Sequence, residues 1–254
     1  MPEPVTLAAR RLGAGAQPGV QPVSRWRAAS IHLAISVAVG LGSLLLIVGV
    51  WYPPPYFAVS GAGTLVLLII GVDLTLGPLL TLIVFDMRKR SLRFDLAVIA
   101  LLQAAGLAYG LHIAFVSRPV FLVAERDQVT AVYANEVDMA GAERAPFKRL
   151  PLWGPELVSL QLPDDPQAMD EAIAAILRGG SGMRNRLAAY APFDLIQAEL
   201  LANSRRLADE GTAGGRPADQ IRYVPVYCRN GVVYLLLDPE TGEPRETTGT
   251  LPGS

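Results

Sequence analysis

The sequence predicts a three-helix transmembrane bundle, N-terminus inside, followed by a small α+β periplasmic domain. Three observations carry this expectation. Apolar residues make up 51% of the chain and concentrate before residue 118. There they form three runs, each close to the roughly 20 residues that cross a bilayer as helix. After residue 118 the pattern changes to short β-rich runs, turn residues and amphipathic stretches, in a segment long enough for one small domain with its own core.

Residues 1–24 are rich in Ala, Gly and Pro and show no apolar period. They are expected to form a disordered cytoplasmic tail. The membrane part is expected over 25–117. Its first helix is expected at about 28–51, as an uncleaved anchor: Trp51-Tyr52-Pro53-Pro54-Pro55-Tyr56 follows where a signal peptide would carry a small-residue cleavage site. The aromatics Trp51, Tyr52, Tyr56 and Phe57 suit the outer membrane–water interface. The second helix is expected at about 64–85 and the third at about 95–116.

Charge sets the orientation. Arg10, Arg11, Arg25 and Arg27 precede the first run, and Arg88, Lys89, Arg90 and Arg93 lie between the second and third. The link from Tyr52 to Gly63 carries no charge. The positive-inside rule then puts the N-terminus and the 86–94 loop in the cytoplasm. Three crossings leave the last domain, 118–254, outside, in the periplasm of a bacterium. The same basic clusters fit anionic lipid headgroups.

In the outer domain Pro119–Ala124 and Gln128–Ala134 read as strands. Phe147–Leu162, with Pro151, Trp153, Gly154 and Pro155, reads as loop. A helix is expected from Gln167 to Leu177, ending at Gly179-Gly180, and another over about Asp194–Ala208. Ile221–Cys228 and Val232–Leu237 read as a hairpin joined at Arg229-Asn230-Gly231, closed by the turn Asp238-Pro239-Glu240-Thr241-Gly242.

Asp73 is the most informative polar residue, because a carboxylate near mid-bilayer costs about 2.5–3.5 kcal/mol on translocon scales. It lies about 14 Å from the outer end of its helix, while Gln103 lies about 12 Å from the inner end of the third. In a core of roughly 30 Å the two share a level within about 5 Å. Gln103 is therefore the first candidate partner and Ser36 the second. Gly77-Pro78 should kink the second helix and free the carbonyl near Leu74. Three readings of Asp73 stay open: a hydrogen bond that sets helix register, recognition of a polar group on a client helix, and a proton or ion pathway.

Small residues mark candidate helix-packing faces at Ala34, Ala38 and Gly42 on the first helix and at Ala100, Ala104, Ala108, Gly106 and Gly110 on the third. They suit packing within the bundle or against a foreign helix. Catalytic chemistry is not expected. His32 and His112 differ in depth by about 20 Å and cannot share a metal. The outer domain has no histidine, which excludes a Ser-His-Asp or Cys-His triad there. The pairs Asp164-Asp165 and Asp170-Glu171 sit where carboxylates favour a helix N-terminus. The single cysteine, Cys228, reads as a small buried hydrophobe on a strand or as a reactive thiol. No metal, cofactor or nucleic-acid partner is expected.

Several stretches resemble one known family. They are residues 24–36 (Ser24-Arg25-Trp26-Arg27 through Ser36), Val50-Trp51-Tyr52-Pro53, Gly71-Val72-Asp73 with Gly77-Pro78-Leu79-Leu80-Thr81-Leu82, residues 91–99 with Leu102-Gln103, and Tyr109-Gly110. More loosely, Leu150-Pro151-Leu152-Trp153-Gly154-Pro155 and Leu237-Asp238-Pro239-Glu240-Thr241-Gly242-Glu243-Pro244 continue it. Together these resemble the type IV pilin accessory proteins of the TfpX/TfpZ family. The first 23 residues lie outside that pattern. The resemblance implies an inner-membrane protein that assists type IV pilin stability, assembly or display. Its partners would be a type IV pilin, other inner-membrane pilus components and the bilayer. The competing expectation is a membrane-anchored sensor or transporter-associated subunit with a periplasmic ligand domain.

Overall fold

The computed structural model describes residues 24–250, other than 87, 164, 180, 207–211, 214–215 and 218–220. The expected tail, the Asp164 half of one carboxylate pair and Gly180 lie outside the described residues.

The chain has three apolar helices capable of spanning a membrane, followed by a curled sheet domain. Helix α1, Arg25–Leu46, starts where the Ser24 side chain accepts a hydrogen bond from the Arg27 amide, and it runs on as π-helix over Ile47–Trp51. The short α2, Tyr56–Val59, lies in the link. Helix α3, Ala62–Val84, stays helical through Pro78, and α4 covers Leu92–Val116. Each of the three apolar runs thus begins two or three residues earlier in helix than the apolar pattern alone suggests.

Helix α3 is the middle one and packs against both α1 and α4, which scarcely meet each other. Its contact with α1 does not use the stripe of Ala34, Ala38 and Gly42. Ser36, Gly40 and Ser43 are buried, whereas Ala34, Ala38 and Gly42 are exposed. A Cβ on Gly40 would meet Ile70 at 3.2 Å, and one on Gly42 would meet nothing. Both stripes have small residues about four apart. The one carrying the serines turns inward, and Ser43 donates within its own helix to the Val39 carbonyl at 2.9 Å. On α4, Gly110 is buried against Ile69, while Gly106 stands in open space. Its alanines, Ala100, Ala104 and Ala108, are exposed as well.

The domain begins as soon as α4 ends. Strands β1 (Pro119–Ala124) and β2 (Val129–Tyr133) form an antiparallel pair. Strand β3 (Glu156–Leu160) lies parallel to β1 within the segment expected to be loop. Its signal is weak because prolines and Gly154 precede it and Ser159, 1% exposed, occupies an inward position. Strand β4 (Tyr190–Pro192) closes that edge. Helix α5 covers Pro166–Leu177. Helix α6 stops at Asn203, short of the expected end, because Arg205–Arg206 turn into strand β5. A two-stranded ribbon, β6 (Thr212–Ala213) with β7 (Arg216–Pro217), precedes the hairpin of β8 (Arg222–Cys228) and β9 (Gly231–Leu237). Strand β10 (Pro244–Thr248) adds the far edge. The order is β10-β9-β8-β2-β1-β3-β4, with β5 beside β8 and parallel pairing at β1–β3 and β2–β8.

Both faces of the sheet are covered. One carries Leu122, Val129, Val226 and Leu235 under α6, with Leu200 at its centre. The other carries Val120, Val123, Val158 and Leu187.

The link between α1 and α3 departs most from expectation. Tyr52 and Tyr56 are 1% and 6% exposed, so they do not line the water–lipid boundary. Tyr56 enters the domain core and donates to Thr247 at 3.0 Å, and Tyr52 donates to the Ala114 carbonyl at 2.9 Å. Burial pushes both phenols up to about 12, so each stays a hydrogen-bond donor at any ordinary pH. The Asn230 amide of the β8–β9 turn donates to the Val59 carbonyl at 2.8 Å. Tyr133 donates to Ser60 at 3.2 Å and accepts from the Arg229 amide. Gly61 has φ 77° with the Asn230 side chain against it, a conformation and a closeness that only glycine accommodates. Bundle and domain are thus stitched through the link.

Candidate functional site

A polar cluster sits where the three long helices approach each other. Asp73, Gly77 and Thr81 repeat every four residues along one stripe of α3. His32 comes from α1 and Gln103 from α4. His32 Nδ1 is 2.6 Å from Thr81 Oγ1, its Nε2 is 2.7 Å from Gln103 Oε1, and Gln103 Nε2 reaches the Asp73 carbonyl oxygen at 3.4 Å. The Asp73 carboxyl interacts with the same Gln103 side chain and with His32.

The directions of these bonds follow from the groups. A carbonyl only accepts, so the Gln103 amide nitrogen faces Asp73 and its oxygen faces His32. His32 therefore donates from Nε2. In neutral form its Nδ1 accepts from the Thr81 hydroxyl. The chain Thr81 to His32 to Gln103 to Asp73 runs one way, with each donor feeding the next acceptor.

Gly77 makes this meeting possible. A Cβ there would lie 2.1 Å from Gln103 Nε2 and 2.9 Å from His32 Nε2. The glycine is a notch in α3 over which side chains from α1 and α4 join, although those helices hardly touch. Pro78 beside it has no amide to give the Leu74 carbonyl. Thr75 donates separately to the Gly71 carbonyl at 2.7 Å, one turn away.

Two grooves flank the cluster. One, of about 370 Å³, lies between α3 and α4 and is lined mainly by leucine and isoleucine, with Asp73 and Gln103 as its hydrogen-bonding side chains apart from Tyr109. Gly106 widens it. The other, of about 540 Å³, includes Ile35, His32, Thr81 and Phe85 and lies nearer the start of α1.

The structure brings Gln103 to Asp73 at its backbone carbonyl oxygen. Ser36 is buried on the inward face of α1, but no hydrogen bond links it to Asp73 among the described residues. His32 and Thr81 were not singled out as partners. The depth argument reaches them too, since each lies about four residues from the inner end of its apolar run. His112 is exposed on α4 and takes no part. Arg25, Arg27, Arg88, Lys89, Arg90 and Arg93 are exposed at the end of the bundle where α1 and α4 begin, and Lys89 pairs with Asp95 at 2.5 Å.

A family model described as "Fimbrial assembly protein FimB" matches residues 21–61. The chain is 32% identical over 135 residues to the fimbrial assembly protein of serogroup E1 from Dichelobacter nodosus, a match covering 52% of each chain. It is 34% identical over 109 residues to the fimbrial assembly protein of serogroups C1 and C2 from the same organism, covering 42% of this chain and 83% of that one. The chain spans about half the length of the first of these relatives. No solved structure matches it. Three membrane-capable helices joined to a curled sheet, with a matching start and a relative aligned over most of its length, place this chain in the fimbrial assembly protein family of type IV pilus accessory proteins.

Proposed function

We propose that this protein is an inner-membrane assembly factor that holds a type IV pilin in the membrane before the pilin enters the fibre. The N-terminus and the basic 86–91 loop lie in the cytoplasm in this reading, and the sheet domain lies in the periplasm. The observation that carries it is the apolar groove between α3 and α4 with Asp73 and Gln103 in its wall. A lipid-facing groove of this kind takes an apolar helix through close packing, and the two polar groups reward a helix that brings a hydrogen-bonding group to their level. The contact is reversible in this reading, since the client must leave. The role is one of holding and positioning rather than catalysis.

The test deletes the gene and restores it as wild type or Asp73→Ala, then compares total with surface pilin in the same cells. Loss of surface pilin with normal accessory-protein level supports the contact. Unchanged piliation with Asp73→Ala rejects Asp73 as the contact, and unchanged pilin in the deletion rejects the function.

A further inference from the structure

The strongest unused feature is the loop Pro151–Pro155. Trp153 is 78% exposed and Leu152 55% exposed, two adjacent large apolar side chains bared together. Topology fixes where they sit. Strand β1 leaves the end of α4, and β3 runs parallel to it with Glu156 beside Phe121. The residues before Glu156 therefore return to the level at which α4 ends. Direct bonds say the same. The Gly154 amide donates to the Val50 carbonyl at 2.9 Å, in the last turn of the first span, and a Cβ on Gly154 would meet Pro53 at 3.1 Å. Trp153 is the chain neighbour of that residue, one Cα step of about 3.8 Å away.

The loop is held rather than loose. Arg118, 3% exposed, donates from Nη2 to the Pro151 carbonyl at 3.0 Å and from Nη1 to the Phe115 carbonyl at 2.6 Å. Its guanidinium also lies 3.9 Å above the Phe115 ring, which meets Trp51 edge-on. The clamp fixes the backbone on both sides of Leu152 and Trp153, which stand outward. Lys148 and Arg149, just before the loop, are exposed.

The geometry points to a second membrane contact: Leu152 and Trp153 insert into the headgroup boundary of the leaflet on the sheet-domain side, with Lys148 and Arg149 near lipid phosphates. Tryptophan favours this depth because its ring is apolar and its N–H needs a wet acceptor. The contact ties the domain to the bilayer surface beside α1 and so fixes the domain's tilt. It rests on the reading that the three helices span a bilayer, and it holds whether or not the client is a pilin.

The test uses the full chain in vesicles of phosphatidylcholine and phosphatidylglycerol, with bromine placed either high on the acyl chain or near its end. One form keeps only Trp153 (Trp26→Phe, Trp51→Phe). The other keeps only Trp26, 69% exposed at the opposite end of α1 (Trp51→Phe, Trp153→Phe). The proposal expects Trp153 to emit in the blue, resist aqueous iodide and lose more fluorescence to shallow bromine than to deep. Trp153 quenched by iodide and not by bromine, while Trp26 responds to bromine, overturns the proposal and leaves the loop facing water or a protein. Failure of both tryptophans to respond to bromine overturns the membrane reading itself. If either single-tryptophan form does not fold, the wild type and Trp153→Phe serve instead: bromine-sensitive fluorescence must fall when Trp153 is removed, and no fall overturns the proposal.

Discussion

All six residues of β1 are buried, whereas only 11% to 22% of the most apolar stretch of each long helix is covered by protein. The sheet domain excludes water from two apolar layers. For helices capable of spanning a membrane, lipid is as apolar as a neighbouring helix, so apolar area gives them no reason to prefer one another. They are selected instead by a glycine notch and a directional chain of hydrogen bonds from Thr81 to Asp73. One region is held by amount of buried surface, the other by a few placed contacts. The same kind of substitution should therefore have different consequences in each.

The largest contrast is leucine truncation. Leu200 is 0% exposed beneath the sheet, and Leu101 is 70% exposed on α4. Leu200→Ala should destabilise the domain by about 3 kcal/mol through lost contacts and the cavity left behind. Leu101→Ala should change stability by less than about 0.5 kcal/mol. Thermal unfolding in lipid nanodiscs compares them. A similar cost at Leu101 would show that this face of α4 is covered by something other than lipid.

Within the bundle, glycine substitution separates a packed position from an open one. A Cβ on Gly110 would lie 2.5 Å from Ile69 Cγ1, on a branched side chain with little room to yield, whereas one on Gly106 meets nothing. Gly110→Ala should cost about 1–3 kcal/mol by forcing α3 and α4 apart. Gly106→Ala should be close to neutral in stability while narrowing the groove. Unfolding by added denaturing detergent measures both. Equal effects would mean that the spacing of α3 and α4 is not set at Gly110.

The polar cluster should act as a unit of smaller size. A cycle of His32→Leu, Gln103→Leu and the double variant should show coupling of about 0.6 kcal/mol, and at most about 1.7, the range seen for hydrogen bonds between membrane helices. Gly77→Ala should reproduce most of that loss alone, since its methyl would displace Gln103 from its place over the notch. Independent, additive effects would mean that His32 and Gln103 are packed side chains without a shared bond.

How far the sequence could be read follows the same division. Three long apolar runs were plain, because crossing a bilayer demands twenty residues of one character in a row. The strands β1 and β2, though not their pairing, and the β8–β9 hairpin were plain too, from β-branched runs bounded by turn residues. Depth counting paired Asp73 with Gln103. It stopped short of His32 and Thr81 because a histidine near a helix end reads as interfacial. Small-residue spacing could not choose between the stripe of Ala34, Ala38 and Gly42 and that of Ser36, Gly40 and Ser43, since both recur at near four residues. Strand β3 was hidden because a parallel strand covered on both faces need not alternate. The link at 52–61 was read as a surface belt because its partners, Asn230, Thr247 and Ala114, are remote in sequence.

The last expected effect is on reactivity rather than stability, and it asks whether the domain's tight packing extends to its margin. Cys228 ends β8 beside the apolar layer, half-buried, its Sγ 3.9 Å from the Val226 carbonyl. Burial pushes the thiol up from 9.0 to about 11. The thiolate is the reacting form, so at mildly alkaline pH its fraction falls by about 100-fold relative to an unshifted thiol. Alkylation of the native protein should be correspondingly slow near pH 8 and should quicken steadily as pH approaches 11, with the unfolded chain reacting at the ordinary rate throughout. Fast native labelling near pH 8 would place Cys228 at an opening edge of the sheet. The turn at Arg229 and Asn230, which meets the membrane link, would then be the part of the domain that moves.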